Sequence, residues 1–332
     1  MNEETVESLT KAGGALLTLR GRRCTWIADR VIELVLEATG DEPLPEWQAG
    51  AHLDLHLPSG LIRSYSLCGD PNDRATYTMA VLRETNGRGG SEEVHESQLV
   101  GRTVQARGPR NHFGLDPDRS HHILLAGGIG ITPIKAMAQE LQRRQCSWEL
   151  HYGGRSEDAM AYRNELIGLA PDRVVVVPED TAGMLDLGGI LGAAPAGSVV
   201  YCCGPPGMIA AASDVAAGYD LDFRREQFTS VGAADGVAQP DSTSSGFRVQ
   251  LKRTGVVVDV PADRSILEVV KEVCPDVESS CEEGFCGTCE ARVIEGVPEH
   301  RDTVLTDEER ASNEVMMICV GRSRTPLLVL DL

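Results

Sequence analysis

Four cysteines near the carboxyl end constrain this chain more than any other feature. They stand as C-x4-C-x2-C followed by one distant Cys, and they are Cys281, Cys286, Cys289 and Cys319. Four thiolates can converge on two irons only if the loop that supplies three of them curls round the metal. Gly284 and Gly287 allow the backbone angles that such a curl needs. The spacing therefore predicts a [2Fe–2S] cluster held by these four cysteines.

A zinc site and free structural thiols are the alternatives for the same cysteines. Structural zinc sites usually repeat a short cysteine pair on both sides of a spacer, whereas one side here holds a single Cys. The spacing and the segment 247–332 around it resemble a plant-type ferredoxin domain. This resemblance implies an α+β domain with the β-grasp fold, whose cluster carries one electron at a time.

The charge of the chain excludes several classes of partner. Lys and Arg number 31 against 50 Asp and Glu, a formal net charge of −19, so neither nucleic acid nor an anionic membrane surface is an expected partner. No apolar run reaches the length of a membrane helix, and the start MNEETVESLTKAGG is not a secretory signal. Without export, the ten cysteines are not expected to form a disulfide framework, and a cytoplasmic location is predicted.

The hydrophobic pattern divides the chain into three folded parts. Short period-two segments predict an antiparallel β barrel, and the strand–helix alternation after it predicts a parallel α/β sheet. A segment rich in Gly, Ser, Ala, Asp and Pro then indicates a linker. In the last part, Ser265 with Glu268 and Thr306 with Glu309 have capping-box spacing. The expected boundaries are 1–20 for a leader, 21–115 for the flavin-binding barrel, 116–230 for the nucleotide-binding α/β domain, 231–246 for the linker and 247–332 for the iron–sulfur domain.

The flavin assignment begins with the motif R-x-Y-S, formed by Arg63, Ser64, Tyr65 and Ser66 at the end of a predicted barrel strand. A large neutral ring can cover a flavin, a hydroxyl can donate to a flavin nitrogen, and a guanidinium matches a phosphate. Alone, the motif is weak, because four residues that alternate along a strand are more often ordinary edge packing. It resembles the motif of the ferredoxin–NADP reductase superfamily, in which the Tyr packs on the flavin ring, the Ser bonds its reactive edge and the Arg faces a phosphate. The resemblance implies that Tyr65 packs on the flavin ring, that Ser66 is a catalytic residue at its reactive edge, and that Arg63 faces a phosphate.

A glycine-rich loop, NGRGGS, follows the strand YTMAVLRE, as the flavin-phosphate loop does in that superfamily. Such a loop presents backbone N–H groups to an anion, although a flexible turn is the alternative. The predicted flavin-binding residues of this strand and loop are Val81, Arg83, Gly89, Gly90 and Ser91. R-S-Y-S-L, G-R-G-G-S and PRNHF together resemble the phthalate dioxygenase reductase branch, which uses FMN. FAD remains the alternative, because other members that carry R-x-Y-S use FAD.

The segment GGIGITP lies between a predicted strand and a predicted helix. It is not G-x-G-x-x-G, so the fingerprint of the Rossmann dehydrogenases is absent. We expect Thr132 to be the N-cap and Pro133 the first helical residue, which would direct helix N–H groups at a pyrophosphate. A purely structural turn is the alternative. Gly128, Gly130 and Thr132 are the candidate nucleotide-binding residues.

Three further segments complete the predicted coenzyme site. YCCGPPGM resembles the C-G-P-x-x-M element of the superfamily, which implies that Cys203 lies beside the nicotinamide as a catalytic residue and that Gly204 and Pro205 bind the coenzyme. HYGGRS resembles a strand end that contacts the dinucleotide, which implies that Arg155 faces phosphate or ribose, and an exposed loop arginine is the alternative. In EQF, Phe228 corresponds to the aromatic residue that covers the flavin until nicotinamide displaces it.

Taken together, the resemblance to phthalate dioxygenase reductase spans almost the whole chain. It implies electron transfer from NADH to FMN, then to the [2Fe–2S] cluster and to a terminal oxygenase of the Rieske type. NADPH is the alternative coenzyme, and a haem monooxygenase is the alternative acceptor. An iron–sulfur carrier or sensor with a non-functional flavin half is the alternative from another class.

Overall fold

The computed structural model describes residues 16–85, 87, 89–228, 246–282, 284 and 286–332. They form two compact units, one that ends at Phe228 and one made by the later residues. Most of the expected leader and residues 231–245 of the expected linker lie outside the described residues. Among the described helices, none combines the length and the apolar character that a membrane crossing requires.

The first half of the first unit is an antiparallel sheet that closes on itself. Its elements are β1 (Leu16–Ala28), β2 (Val31–Ala38), β3 (Ala51–His56), β4 (Ile62–Ser66), β5 (Thr76–Leu82), α1 (Gly90–Glu96) and β6 (Thr103–Asn111). The strand order is β4-β3-β6-β1-β2-β5, and a bridge between Leu67 and Met79 joins the two outer strands. The closed sheet is the expected barrel. β1 begins at Leu16, upstream of the expected boundary at residue 21.

The second half of this unit is a parallel sheet with the order β11-β10-β7-β8-β9. Its strands are β7 (His121–Gly127), β8 (Trp148–Gly154), β9 (Val174–Pro178), β10 (Ser198–Cys203) and β11 (Asp222–Glu226). Its helices are α2 (Ile131–Arg143), α3 (Arg163–Leu169), α4 (Glu179–Ala182), α5 (Leu187–Gly192) and α6 (Pro206–Gly218). Every residue of β10 is buried, as expected for a central strand covered on both faces. Because the strands are parallel, their carboxyl ends share one edge of the sheet.

The second unit is built on a mixed sheet with the order β13-β12-β18-β14-β16. Its elements are β12 (Phe247–Leu251), β13 (Val257–Val260), α7 (Ile266–Val273), β14 (Glu290–Glu295), β15 (Pro298–Glu299), α8 (Asp307–Ser312), β16 (Val315–Met317), β17 (Arg322–Ser323) and β18 (Leu327–Leu330). Among the described strands of this unit, only β12 and β18 pair in parallel, and β15 pairs with β17 in a separate two-stranded sheet. Both predicted capping boxes are confirmed, at the starts of α7 and α8.

Candidate functional site

The four predicted cluster ligands meet in the second unit. Their exposed fractions are 4% for Cys281, Cys286 and Cys289 and 7% for Cys319. The thiols form a chain of contacts in which Cys281 touches both Cys286 and Cys319, and Cys319 also touches Cys289. The Cys281 amide donates to the Cys286 sulfur at 3.4 Å. Four buried thiols within contact of one another match the donor set that a [2Fe–2S] cluster requires.

The ligand loop can take this shape because of its glycines. Gly284 and Gly287 have φ angles of 75° and 76°, in the left-handed region that other residues rarely adopt. A Cβ on Gly284 would lie 2.6 Å from Val320 Cγ2 and 3.1 Å from Asp302 Cα. The Thr303 amide donates to the Gly284 carbonyl at 2.8 Å, which fastens the loop to the chain beyond β15.

The apolar run MMICV predicts a strand that carries Cys319, and this prediction is wrong, because Cys319 lies beyond the end of the strand. β16 ends at Met317, and the backbone then turns, with the Gly321 amide donating to the Met317 carbonyl at 2.8 Å. The Ile318 amide donates to the Cys289 carbonyl at 3.2 Å, which brings the turn against the ligand loop. A turn can direct the Cys319 thiol at three loop thiols, whereas an extended strand would alternate its side chains across the sheet.

Two of the predicted ligand thiols have a raised pKa in the absence of iron and so hold their protons more tightly. The hydrogen bond from Cys281 raises the pKa of Cys286, followed in size by burial, and hydrogen bonds with Cys281 and Cys289 raise the pKa of Cys319. Among the described residues, no group of three or more His, Cys, Asp or Glu side chains surrounds a single metal ion, whereas a [2Fe–2S] cluster shares its four cysteines between two irons. Binding iron would have to displace these protons, as thiolate ligation always does.

A hydrogen-bond network with a Lys–Glu ion pair lies beside Cys281. It was not predicted from the sequence. Glu282 has φ 57°, a left-handed angle on a residue that is not glycine. Lys271 Nζ donates to Ser279 Oγ at 2.5 Å and to Glu282 Oε1 at 3.1 Å, and Ser279 Oγ donates to the same carboxylate at 2.7 Å. These bonds hold the turn that follows Cys281.

The predicted flavin residues of β4 lie against the start of α1. A Cβ on Gly90 would be 2.5 Å from Arg63 Nε, so the Arg63 side chain rests directly on the Gly90 backbone. Burial raises the pKa of Tyr65, the largest effect on that phenol. Ser64 Oγ donates to Asp54 Oδ1 at 2.6 Å, and the buried Asp54 carboxylate also pairs with the Arg110 guanidinium. Sequence reasoning did not single out this carboxylate.

The other predicted flavin residues lie at the start of α1 and at the end of β5. Gly89, with φ 79°, precedes α1, and Ser91 Oγ accepts a hydrogen bond from the Glu84 amide at 3.0 Å. Val81 is buried in the barrel. Arg83 Nη2 pairs with Glu96 at 2.5 Å, so its charge is already partnered within the protein. Asn86 and Arg88 of the same loop lie outside the described residues.

The glycine segment after β7 packs on the turn after β10, backbone against backbone. A Cβ on Gly130 would lie 2.5 Å from the Cys203 carbonyl carbon and 2.8 Å from the Gly204 nitrogen. A Cβ on Gly127 would lie 2.6 Å from Pro205 Cδ. The predicted nucleotide-binding glycines and the predicted C-G-P element therefore form one edge of the site.

The prediction that Thr132 is the N-cap of the helix is wrong. α2 begins at Ile131 with Gly130 at the cap position, and Thr132 Oγ1 donates to the Ile129 carbonyl at 3.1 Å. The helix starts earlier because a short 3₁₀ turn over Gly128–Gly130 runs directly into it. Pro133 accordingly lies in the first turn, where its missing N–H has no helical partner to lose.

Two predicted coenzyme residues lie at the ends of the sheet strands. Arg155 is exposed directly after β8, and its carbonyl accepts a hydrogen bond from the Asp180 amide at 3.1 Å. Phe228 is partly buried and packs against the core of the first unit. Both roles stay predictions.

Sequence reasoning missed Glu226. This residue joins β4, the flavin strand that carries the predicted flavin residues, to β10, the strand that ends in the predicted nicotinamide residue Cys203. Ser66 Oγ donates to Glu226 Oε2 at 3.3 Å across 160 positions of sequence. Glu226 also pairs in register with Cys203, at the carboxyl ends of β11 and β10. Burial raises the pKa of Glu226 to about 8, partly offset by the Ser66 hydrogen bond, and burial raises the pKa of Cys203 well above its usual value. At neutral pH Glu226 therefore meets the Ser66 hydroxyl as a neutral acid.

A separate cavity of about 630 Å³ lies at the far end of α2. Its walls include Trp47, Arg74, Leu115, Glu140 and Arg144. A 13-residue helix spans about 20 Å, so this cavity is remote from Ser66 and Glu226. It is not the candidate coenzyme site.

Two family models match the chain. Residues 249–323 match the 2Fe-2S iron-sulfur cluster binding domain. Residues 102–225 match the N-terminal domain of dimethylamine monooxygenase subunit DmmA-like proteins. The first match covers all four cysteines, and the second covers the glycine segment and the C-G-P element.

Relatives match the chain over almost its full length. Phenoxybenzoate dioxygenase subunit beta of Ectopseudomonas oleovorans is 42% identical over 319 residues, which cover 96% of this chain and 98% of that protein. A phthalate dioxygenase reductase structure, described as a modular structure for electron transfer from pyridine nucleotides to [2Fe-2S], is 34% identical with a TM-score of 0.71 and covers 96% and 98%. An intact type IV self-sufficient cytochrome P450 monooxygenase is 40% identical with a TM-score of 0.87, and the match covers 96% of this chain but 41% of that one.

Proposed function

We propose an electron route for this chain, which belongs to the family of oxygenase reductases that includes phthalate dioxygenase reductase. Electrons enter from NADH, pass through FMN to the [2Fe–2S] cluster and leave to a terminal oxygenase. The contact between Ser66 and Glu226 carries the proposal, because it joins the flavin strand to the strand pair that ends in Cys203. The cytoplasm, whose reducing conditions suit ten cysteines, is the proposed location.

The residues present suit a flavin at the end of β4. When bound, a flavin accepts a hydride from a nicotinamide and can release its two electrons singly. The Arg63 guanidinium beside the Gly90 backbone supplies a phosphate partner, and the Tyr65 ring supplies an apolar cover. We favour FMN over FAD because the motif forms R-S-Y-S-L and G-R-G-G-S resemble the FMN-using branch.

Replacing Arg63 tests the phosphate role. We expect Arg63→Ala to lose FMN on gel filtration and to bind added FMN about 10- to 100-fold more weakly, because a charge-assisted bond to a phosphate is removed. Isothermal titration with FMN measures the change. Arg74→Ala, which removes an arginine from the remote cavity, is the control. Equal FMN affinity in the wild type and Arg63→Ala would contradict the assignment.

Glu226 gives the hydride step a pH dependence. Its pKa of about 8 leaves the carboxyl protonated at neutral pH, and ionisation above pH 8 places a negative charge in contact with Ser66. A negative charge there opposes the arrival of a hydride at the flavin edge. We expect the limiting rate of flavin reduction by NADH to be high below about pH 7 and to fall as the pH rises through about 8.

Stopped-flow reduction of Glu226→Gln checks this pH profile. The glutamine stays neutral, so the fall near pH 8 should disappear. Glu46→Gln removes an exposed carboxylate of the same unit and should keep the wild-type profile. A step of unchanged position and depth in Glu226→Gln would show that another group titrates.

The preference for NADH has support at the end of β9. Glu179 and Asp180 follow this strand directly, are exposed, and lie beside Arg155 through the Asp180 amide bond. A carboxylate at such a strand end can accept a hydrogen bond from a ribose 2′-hydroxyl and repels a 2′-phosphate. We therefore propose NADH rather than NADPH as the electron donor.

The proposed acceptor is a terminal oxygenase of the Rieske type. Similarity to phenoxybenzoate dioxygenase subunit beta and phthalate dioxygenase reductase supports it. A haem monooxygenase is the second candidate, favoured by the TM-score of 0.87 to the matched 41% of an intact type IV self-sufficient cytochrome P450 monooxygenase.

Anaerobic titration of the purified protein with NADH tests the whole route. Bleaching of a flavin band followed by the EPR signal of a reduced [2Fe–2S] cluster is the expected result, at lower concentrations of NADH than of NADPH. Mass spectrometry of the released flavin separates FMN from FAD. Product formation with a Rieske oxygenase but not with a P450 would identify the acceptor class. A cluster without any NADH-reducible flavin would instead support a carrier or sensor.

A further inference from the structure

Lys135 is a buried cation that the proposed electron route does not use. It lies one turn into α2, and only 5% of the residue is exposed. A buried ammonium is costly unless it is paired and hydrogen-bonded. The contacts that compensate this cost therefore indicate what the residue does.

The Lys135 ammonium spans both halves of the first unit. Its Nζ donates to the Cys68 carbonyl of the barrel at 2.8 Å. It pairs with Glu165 Oε1 of α3 at 3.0 Å and lies 4.6 Å from the centre of the Tyr162 ring. One side chain thus holds the barrel, α2 and the start of α3 together.

Tyr162 makes a second link across the same boundary. Its hydroxyl donates to Glu33 Oε2 at 3.1 Å and contacts the Cys68 sulfur at 3.3 Å. Tyr162 has φ 61°, a left-handed angle that is unfavourable for a tyrosine. Glu33 is in turn held by Arg23 at 2.8 Å. The hydrogen bonds to the barrel hold Tyr162 in this conformation under the Lys135 ammonium.

Both ends of the Lys135 bridge adjoin the redox site. Cys68 lies two residues beyond Ser66, the last residue of β4. Lys135 lies three residues beyond Thr132 of the nucleotide segment. Gly130 packs on the Cys203 carbonyl at the start of the same helix. The bridge therefore connects the strand that carries the flavin hydroxyl to the helix that carries the nicotinamide edge.

We propose that Lys135 is a positioning residue that holds the nicotinamide segment at reaction distance from the flavin strand. This inference rests on the proposed function. Hydride transfer requires the reacting atoms at about 3–3.5 Å, and a misplacement of about 1 Å can cost about 100-fold in rate. The contacts of Lys135 with Cys68, Glu165 and Tyr162 lie outside the predicted flavin and coenzyme residues, so Lys135 acts through the Cys68 backbone.

Stopped-flow reduction of the flavin-loaded protein by NADH tests the proposal through separate binding and rate constants. We expect Lys135→Met to lower the limiting rate of flavin reduction about 10- to 100-fold, while the dissociation constant of NADH and the flavin content change less than about threefold. Lys135→Arg, which keeps a cation near Cys68 and Tyr162, should recover part of the rate. Arg143→Met removes an exposed cation from the other end of α2 and should match the wild type.

The outcomes separate this inference from the proposed function. If NADH does not reduce the wild-type flavin, the proposed function fails. If the wild type is reduced and Lys135→Met keeps the wild-type limiting rate, Lys135 has no positioning role. If Lys135→Met has a lower melting temperature but an unchanged limiting rate, the residue serves stability alone and the proposal is overturned.

Discussion

Cys286→Ser is expected to yield a protein that NADH still reduces at the flavin but that holds no iron–sulfur cluster. Cys286 is 4% exposed, and its thiol lies in the contact chain of the four ligands. Loss of a group that only hydrogen-bonds to a metal ligand costs about 10- to 100-fold in metal affinity, so loss of a ligand itself should cost more. Flavin reduction should survive because the flavin and nicotinamide residues belong to the other compact unit.

Iron and acid-labile sulfide analysis, EPR and stopped-flow reduction by NADH measure the two functions separately. Cys274→Ser is the matched control, because Cys274 follows α7 in the same unit and does not belong to the ligand spacing. The control should keep both cofactors. If Cys286→Ser loses flavin reduction as well as the cluster, the two units do not function independently. If it keeps a full cluster, Cys286 is not a ligand.

Gly130→Ala is expected to reduce the rate of flavin reduction by NADH about 100-fold while leaving the cluster intact. The added Cβ would lie 2.5 Å from the Cys203 carbonyl carbon and 2.8 Å from the Gly204 nitrogen. Both are backbone atoms, so no side chain can swing away, and the nucleotide segment must move. Gly130 has φ −60°, which alanine adopts freely, so the effect is purely steric. A shift of about 1 Å between the nucleotide segment and the flavin strand accounts for the expected loss of rate.

The same substitution at Gly168 is the control. Gly168 lies within α3, and a Cβ there meets nothing within 4 Å. Alanine should stabilise that helix slightly and leave the rate unchanged. Dithionite reduction followed by EPR should show the same cluster in both variants and in the wild type. A wild-type rate in Gly130→Ala would remove the segment 127–130 from the coenzyme site.

Local patterns explain what could be predicted correctly. The barrel, the parallel sheet and the mixed domain follow from hydrophobic periodicity, which depends on neighbours within one strand or helix. The capping boxes at Ser265 and Thr306 are equally local, and both are present. The N-cap prediction for Thr132 was wrong because a 3₁₀ turn precedes the helix, and no residue pattern distinguished that turn from a loop.

The strand prediction for Cys319 failed for a related reason. The run MMICV has the composition of a buried strand, yet the chain leaves the sheet after Met317. The bond from the Ile318 amide to the Cys289 carbonyl draws the backbone toward the ligand loop. That bond joins residues far apart in sequence, so periodicity within the run could not indicate it.

By itself, the amino-acid sequence predicted the four cysteine ligands and determined the order of the three folded parts. Cysteine spacing reports directly on how one loop surrounds a metal, and periodicity reports on which face of an element is buried. Only the tertiary structure decided that Glu226 meets Ser66 and that Lys135 is buried against Cys68. Both pairs form when the barrel and the parallel sheet pack together. A glutamate or lysine that is ordinary in the sequence becomes a neutral acid or a buried bridge only through the burial and partners that this packing supplies.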